Sequence, residues 1–390
     1  MKIVVLTNLF PNKNDPMNGI FNRERVTALQ RLGCEVIVIA PISYAPKLRY
    51  LFPYPKIKSI IKHIVEVYSL PKRDTYKDID VLRVKRFALP NKLFWQYDYK
   101  VLKFFNGRRI NKIIGEFKPD FILTTGLNPE STYAVELKKK FSQPIYSIFE
   151  GSDILVVADK YSGFNKIYHI LQRFVDKVIY VSDNFKQSVE EKYHFQSNVV
   201  IKNGYNADVF KYSRVSGNNK NEVTNLLNVG RLLPLKGQDI LLKSLLQLSF
   251  KYELKVIGDG YMHEEYATFV QKNSLNVNIL PQLPQSSIKQ HMDTADLFIM
   301  PSRTESFGIA ALEAMACGLP VIAANVGGLK DHIIEGFNGV FFESESVDGL
   351  AKAIEKATTI SWNHEEIAHW VKRNYSWETW AQKVMALNSN

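Results

Sequence analysis

Short apolar runs alternate with segments of helical period along most of the chain. Residues 2–7 read as a strand and 23–32 as a helix closed by Gly33. Further strands are predicted at 35–40, 81–87, 121–125, 145–149, 178–182 and 199–202, with helical patterns at 99–117 and 133–140. A polar stretch at 213–224 interrupts the pattern, and a second alternation then begins. Its strands fall at 226–229, 254–257, 277–280, 297–300, 320–323 and 339–342. Helical patterns at 238–248, 264–273, 286–294, 309–317, 329–335 and 346–359 separate or follow them, before two closing helices at 365–374 and 377–387. Strands joined by crossover helices imply mostly parallel sheets covered on both faces. The expectation is an α/β chain of two Rossmann-like, doubly wound domains facing across a deep cleft. Ligands in such folds bind outside the carboxyl ends of the strands, so the loops after strands carry the candidate chemistry.

Composition agrees with two domains. A chain of 390 residues exceeds one ordinary core, and an apolar fraction of 46% lets each half bury its own. Cys34 and Cys317 fall in different halves, which argues against a disulfide framework and fits a reducing cytosol. The apolar run at the start is too short for a signal peptide or a span, and nowhere do 18 apolar residues follow one another, so no membrane-spanning segment is expected.

Charge changes the picture more. Residues 1–200 hold 32 basic and 19 acidic residues, whereas 201–390 hold 18 and 20. The excess concentrates in residues 44–112, with 17 basic against 5 acidic residues and many interleaved aromatics. Within it, Ile57, Ile60, Ile61, Ile64, Val65 and Tyr68 keep helical spacing, with Lys56, Lys58, Lys62 and His63 between them. Two readings fit: a surface helix packed on a core, or a basic amphipathic helix lying on an anionic membrane surface. Zinc-finger spacing, an RNP-like strand and a helix-turn-helix pattern are all missing, so no nucleic acid partner is expected.

Four loops stand out. After the first strand, a long segment ends in Gly19 before a helix, which permits close backbone approach of a ligand. It lacks the GxGxxG spacing of a dinucleotide site. After the strand at 226–229, Gly230-Arg231 and Lys236-Gly237 bracket one loop with two cations, as a diphosphate requires. Gly258, at the next strand tip, can admit a base or ribose. Finally, Ser302-Arg303-Thr304-Glu305-Ser306-Phe307-Gly308-Ile309 leads into a helix carrying Glu313, an acidic residue on an otherwise apolar face. Burial there demands a partner, and a ribose diol suits it. Glu305 can reach sugar hydroxyls, and the helix start can hold phosphate. His291, Asp293, Asp331 and His332 show no metal-site spacing, and no metal or bound cofactor is expected.

Together these motifs resemble the signature of the family-4 retaining glycosyltransferases of the GT-B fold. The resemblance rests on residues 302–308, Glu313-Ala314-Met315-Ala316-Cys317-Gly318-Leu319-Pro320, Gly230-Arg231 with Lys236-Gly237, and Asn203-Gly204 with Phe210. Where the usual acidic residue follows that Asn-Gly, this chain has Asn206. The resemblance implies an acceptor-binding domain at 1–200, a donor-binding domain at 201–375, and a final helix, 376–390, that crosses back onto the first. It implies that Arg231 and Lys236 hold the diphosphate of a nucleotide sugar donor and Glu313 its ribose. Glu305, with the backbone at Ser306, Phe307, Gly308 and Ile309, then holds the transferred sugar, and Gly19 lines the cleft.

Relatives commonly carry His at the strand tip near residue 150, whereas this chain reads Phe149-Glu150-Gly151-Ser152-Asp153. A carboxylate at Glu150 can contact a sugar hydroxyl but adds negative charge near a diphosphate, and Asp153 keeps its place for donor sugar or acceptor. The implied activity is hexosyl transfer with retention, UDP-sugars favoured, onto a lipid-linked glycan in capsule, exopolysaccharide, teichuronic acid or lipopolysaccharide assembly. The implied place is the cytoplasm, peripheral to the inner face of the cell membrane. Rival readings are a nucleotide-sugar epimerase or hydrolase of the same fold, and a non-catalytic nucleotide-sugar-binding subunit.

Overall fold

A computed structural model describes residues 1–44, 57–86, 94–151, 163–213 and 223–388, together with Ile154, Ala158 and Tyr161. The chain divides into two compact units, Met1–Lys202 with Trp377–Asn390, and Asn203–Ser376.

The first unit is built on an eight-stranded sheet ordered β3-β4-β2-β1-β5-β6-β7-β8. Its strands are β1 (Lys2–Leu6), β2 (Glu35–Ser43), β3 (Arg73–Tyr76), β4 (Ile79–Arg86), β5 (Phe121–Thr125), β6 (Ile145–Phe149), β7 (Lys177–Tyr180) and β8 (Asn198–Val200). All neighbours are parallel except β3 and β4. Strands buried on both faces need no alternation, so Ile3, Val4, Val5 and Leu6, or Phe121, Ile122 and Leu123, run continuously apolar in the core. Helices α1 (Ile20–Arg31), α2 (Ile57–Ser69), α3 (Asp98–Phe117), α4 (Thr132–Phe141), α5 (Phe164–Phe174) and α6 (Asp183–Glu190) belong to this unit. The pattern missed β3. It pairs through a hairpin whose turn residues, Lys77 and Asp78, both have positive φ, 48° and 66°. That turn asks for Asn-Gly or Asp-Gly, and Lys-Asp gives no such signal.

The second unit has a six-stranded, all-parallel sheet ordered β11-β10-β9-β12-β13-β14. These strands are β9 (Thr224–Val229), β10 (Tyr252–Ile257), β11 (Val277–Leu280), β12 (Leu297–Met300), β13 (Val321–Ala324) and β14 (Gly339–Phe342). Its helices are α7 (Gln238–Ser244), α8 (His263–Lys272), α9 (Gln285–Thr294), α10 (Ile309–Ala316), α11 (Val347–Thr359) and α12 (His364–Asn374). The last helix, α13 (Trp377–Ala386), is part of the first unit. The helix expected at 329–335 is instead a short 3-10 segment, Gly327–Asp331. Its two glycines lie against the backbone of residues 305 and 306, and the Gly328 N–H donates to the Glu305 carbonyl at 2.9 Å. Both units are therefore Rossmann-like, and in each the strand order reverses once: at β1/β5 and at β9/β12.

Candidate active site

The reversal at β9/β12 is where a doubly wound sheet opens its ligand crevice. Two loops leave these strands, and glycines let their backbones touch. A Cβ on Gly237, whose φ is +69°, would fall 1.9 Å from the Pro301 carbonyl oxygen. A Cβ on Gly258 would fall 2.0 Å from the Gly230 carbonyl oxygen, and one on Gly327 1.9 Å from that of Glu305. Gly258 is thus accounted for by the packing of neighbouring strand tips as well as by any ligand.

Side chains tie the same loops together. Lys236, ending a 3-10 turn (Pro234–Lys236), donates from Nζ to Glu305 Oε2 at 2.6 Å. Ser302 Oγ donates to the same oxygen at 3.4 Å. Arg303, which the sequence reading left without a role, forks onto Asp239 at 2.8 and 2.9 Å, and also donates to Glu345 and the Pro234 carbonyl. These bonds hold the Asp239 carboxyl below its ordinary range and push the Arg303 guanidinium up. Arg303 is thereby engaged in bracing the loops. Gln238, buried at the start of α7, donates to the Arg231 carbonyl at 3.2 Å, while the Arg231 side chain lies exposed at the tip.

The helix start has its own logic. Phe307 is buried, its ring 5.1 Å from His332 and 6.0 Å from Tyr375, so the side chain anchors the loop. Gly308 caps α10 in the left-handed region with φ 87°. The N–H groups of Ala311 and Leu312 donate back to the Gly308 carbonyl at 3.0 and 3.2 Å, so the helix's positive end lies at Ile309 and Ala310. About one turn along, Glu313 Oε1 accepts from Gln285 Nε2 at 3.4 Å, and Gln285 Oε1 accepts from Asn206 at 2.7 Å. The structure thus joins Lys236 and Glu305 directly, sets Gly230, Arg231 and Gly258 on the adjoining tips, and puts Ser306, Phe307, Gly308, Ile309 and Glu313 on the opposite loop and helix. Sequence reasoning missed Arg303, Asp239, Gln238, Gln285 and the Gly327-Gly328 pair, of which only the glycine pair carries a local signal.

The first unit has a different edge at β1/β5. Gly19, φ +65°, precedes α1, and a Cβ there would fall 2.1 Å from the Leu9 carbonyl oxygen. Asn22 donates to that carbonyl at 2.9 Å and to Thr7 Oγ1 at 3.1 Å, while Thr125 Oγ1 donates to Thr7 Oγ1 at 2.6 Å. Glu150, at the tip of β6, is bound by the buried Arg25 through both carboxylate oxygens. The charge that Glu150 brings to this edge therefore has a cationic partner in its own unit. Asp153 lies outside the described residues.

Away from both edges, α2 turns an apolar stripe outward. Ile61, Ile64, Val65 and Tyr68 are 42–76% exposed, while Val67 and Leu70 pack inward. Phe104 and Phe105 of α3 are also exposed. Ile57, Ile60 and Lys58 lie where side chains are outside the described residues, as does Lys56. Among the described residues no helix is long and apolar enough to cross a membrane, and no group of three or more His, Cys, Asp or Glu could hold a metal ion.

Comparison with known proteins gives the family context. The sequence model of Glycosyltransferase Family 4 matches residues 20–209, and that of Glycosyl transferases group 1 matches 210–377. An uncharacterised glycosyltransferase of Methanocaldococcus jannaschii is 29% identical over 87% of this chain and 94% of its own length. The putative teichuronic acid biosynthesis glycosyltransferase TuaC of Bacillus subtilis is 25% identical, over 94% of this chain and 90% of its own. Among solved structures, sucrose-phosphate synthase from Thermosynechococcus elongatus superposes with a TM-score of 0.78 at 17% identity, covering 99% of this chain and 98% of that one. Anabaena HepE in complex with UDP-glucose gives 0.72 at 20% identity, covering 100% and 99%. These likenesses are of fold.

Proposed function

The chain belongs to the family-4 glycosyltransferases of the GT-B fold, and on that premise we propose that it moves a hexosyl group from a nucleotide diphosphate sugar to a hydroxyl of a lipid-linked glycan, with retention. The observation that carries this reading is the Lys236–Glu305 contact at the β9/β12 reversal, beside the start of α10. It puts a cation on the loop that leads into the N-terminus of α10, and a diphosphate leaving group needs both as its charge grows.

In the proposed reaction Arg231 and Lys236 hold the diphosphate, Glu313 holds the ribose, and Glu305 with the backbone at Ser306–Ile309 orients the sugar. The bond between the anomeric carbon and the diphosphate oxygen breaks. The acceptor hydroxyl forms the new bond on the same face, and its proton passes to the departing phosphate oxygen. No protein carboxylate is needed as nucleophile, and no metal is called for. Residues 203–376 supply the donor side and residues 1–202 with α13 the acceptor side. UDP is the favoured nucleotide, a reading supported by the UDP-glucose bound in Anabaena HepE.

The similarity to TuaC supports a place in cell-surface polysaccharide assembly. The outward apolar stripe of α2, set in the most basic part of the chain, supports peripheral association with the anionic inner face of the cell membrane. The test is turnover of UDP-, GDP-, ADP- and CMP-sugars by the wild type and by Lys236→Ala, with the anomeric configuration of the product read by NMR. Retention by the wild type and near loss in the variant are expected. Inversion, or a variant as fast as the wild type, would sink the assignment.

A further inference from the structure

Arg25, like Arg83 and Arg86, is a buried arginine of the first unit. It is 2% exposed, and its guanidinium carbon lies 5.3, 5.5 and 5.4 Å from the ring centroids of Phe21, Trp377 and Trp380. Nη1 donates to Asn22 Oδ1 at 2.9 Å and to Glu150 Oε1, and Nη2 donates to Glu150 Oε2 at 3.4 Å. Asn22 is fixed in turn by Thr7 and Leu9 at the end of β1. Trp377 is fixed by a bond from Nε1 to Glu24 at 2.8 Å.

A buried ion pair is by itself a weak source of stability. Desolvating a guanidinium costs more than an apolar side chain of similar volume would, and buried ion pairs seldom repay it. What the arrangement secures is the direction of one carboxylate. The Glu150 side chain keeps 17% exposure, one residue past β6, at the carboxyl-end edge where ligands enter such sheets. The planar fork of arginine suits a carboxylate that must be held in a single orientation.

We propose that Arg25 is a positioning residue for glycosyl transfer, holding Glu150 so that its outward face accepts a hydrogen bond from a hydroxyl of the acceptor sugar. The inference rests on the transferase reading above. It makes α13 part of the acceptor edge, because Trp377 and Trp380 wall the guanidinium. It also sets a substrate class: the sugar meeting Glu150 is neutral, since a uronate carboxylate would be repelled there.

The experiment compares Arg25→Gln, Glu150→Gln, their double variant and Arg25→Lys. The thermal midpoint and UDP release from UDP-sugars are measured with octyl glucoside or octyl glucuronide as probe acceptor. The double variant replaces the ion pair by two neutral amides. It is expected to recover most of the midpoint lost in Glu150→Gln, yet to remain about a hundredfold slower toward octyl glucoside, with the preference over the glucuronide gone. Recovery of both stability and rate would reduce the pair to a structural role and overturn the proposal. Arg25→Lys keeps the charge without the fork. It should stay folded yet lose about tenfold in rate, and an unchanged rate would equally overturn the proposal. A wild type that releases no UDP from any donor, with or without acceptor, would instead contradict the transferase reading itself.

Discussion

The two strand-order reversals are built from different materials. At β9/β12 the loops meet backbone to backbone, through glycines that leave no room for a Cβ, and two cross-loop ion pairs finish the joint. At β1/β5 one glycine, Gly19, meets a carbonyl in the same way, but the rest of the edge is made of side chains: a threonine pair, an asparagine, and an arginine under three aromatic rings that holds a carboxylate 125 residues away. A site that must grip phosphate gains from fixed N–H groups and short loops. An edge that meets a variable ligand can be re-cut by exchanging side chains while the backbone stays.

The contrast breaks first at Gly237. Gly237→Ala puts a methyl group against the Pro301 carbonyl at a left-handed φ, and should cost at least about 3 kcal/mol in urea unfolding. Gly336 has a similar φ, +76°, with nothing within 4 Å, so Gly336→Ala should cost only about 1–2 kcal/mol. Equal costs would show that loop contact is not what the glycine serves. Next is Lys236→Ala, expected to lower turnover about 10²- to 10³-fold and, by leaving the Glu305 carboxylate without its cation, to lower the unfolding midpoint by less than Gly237→Ala does.

A smaller effect separates the ion pairs by pH. The folded-state pKa of Asp239 lies below its unfolded value because Arg303 bonds the carboxylate. Its contribution is present above the unfolded pKa and is lost as pH falls through the folded one. Asp239→Asn should therefore flatten the acid limb of stability below about pH 4. An acid limb as steep as that of the wild type would remove the brace from the account. The smallest stability change belongs to α2. Ile61→Glu with Val65→Glu should leave the midpoint within about 0.5 kcal/mol, since both side chains face outward, while weakening co-sedimentation with anionic vesicles. Unaltered vesicle binding would separate this stripe from any membrane role.

The same difference in material decides what the sequence could tell. Both sheets were legible because a buried parallel strand is a bare apolar run and its crossover helix has its own period. The second reversal was legible because Gly237, imposed by backbone contact, and Gly308, held at a left-handed φ, stand with Gly230 beside Arg231, Lys236 and Glu305 within two short segments. Arg303 was not, since nothing local distinguishes an arginine that braces a loop from one that meets a ligand. The β1/β5 edge was legible only in Gly19 and in the unusual Glu150. Its partner Arg25 and the rings of Trp377 and Trp380 come from remote parts of the chain, and only the fold brings them together. The apolar period of α2 was read correctly, but period alone does not say whether a stripe faces a core or the outside.

The central claim, that the β9/β12 loops hold the diphosphate of a nucleotide sugar, is tested most directly by calorimetric titration of UDP-glucose, and of UDP alone, into the full chain and its Lys236→Ala variant. The account predicts one donor per chain, with affinity falling at least about tenfold in the variant for both ligands, because both carry the diphosphate. Equal affinity of the two proteins for UDP would contradict it.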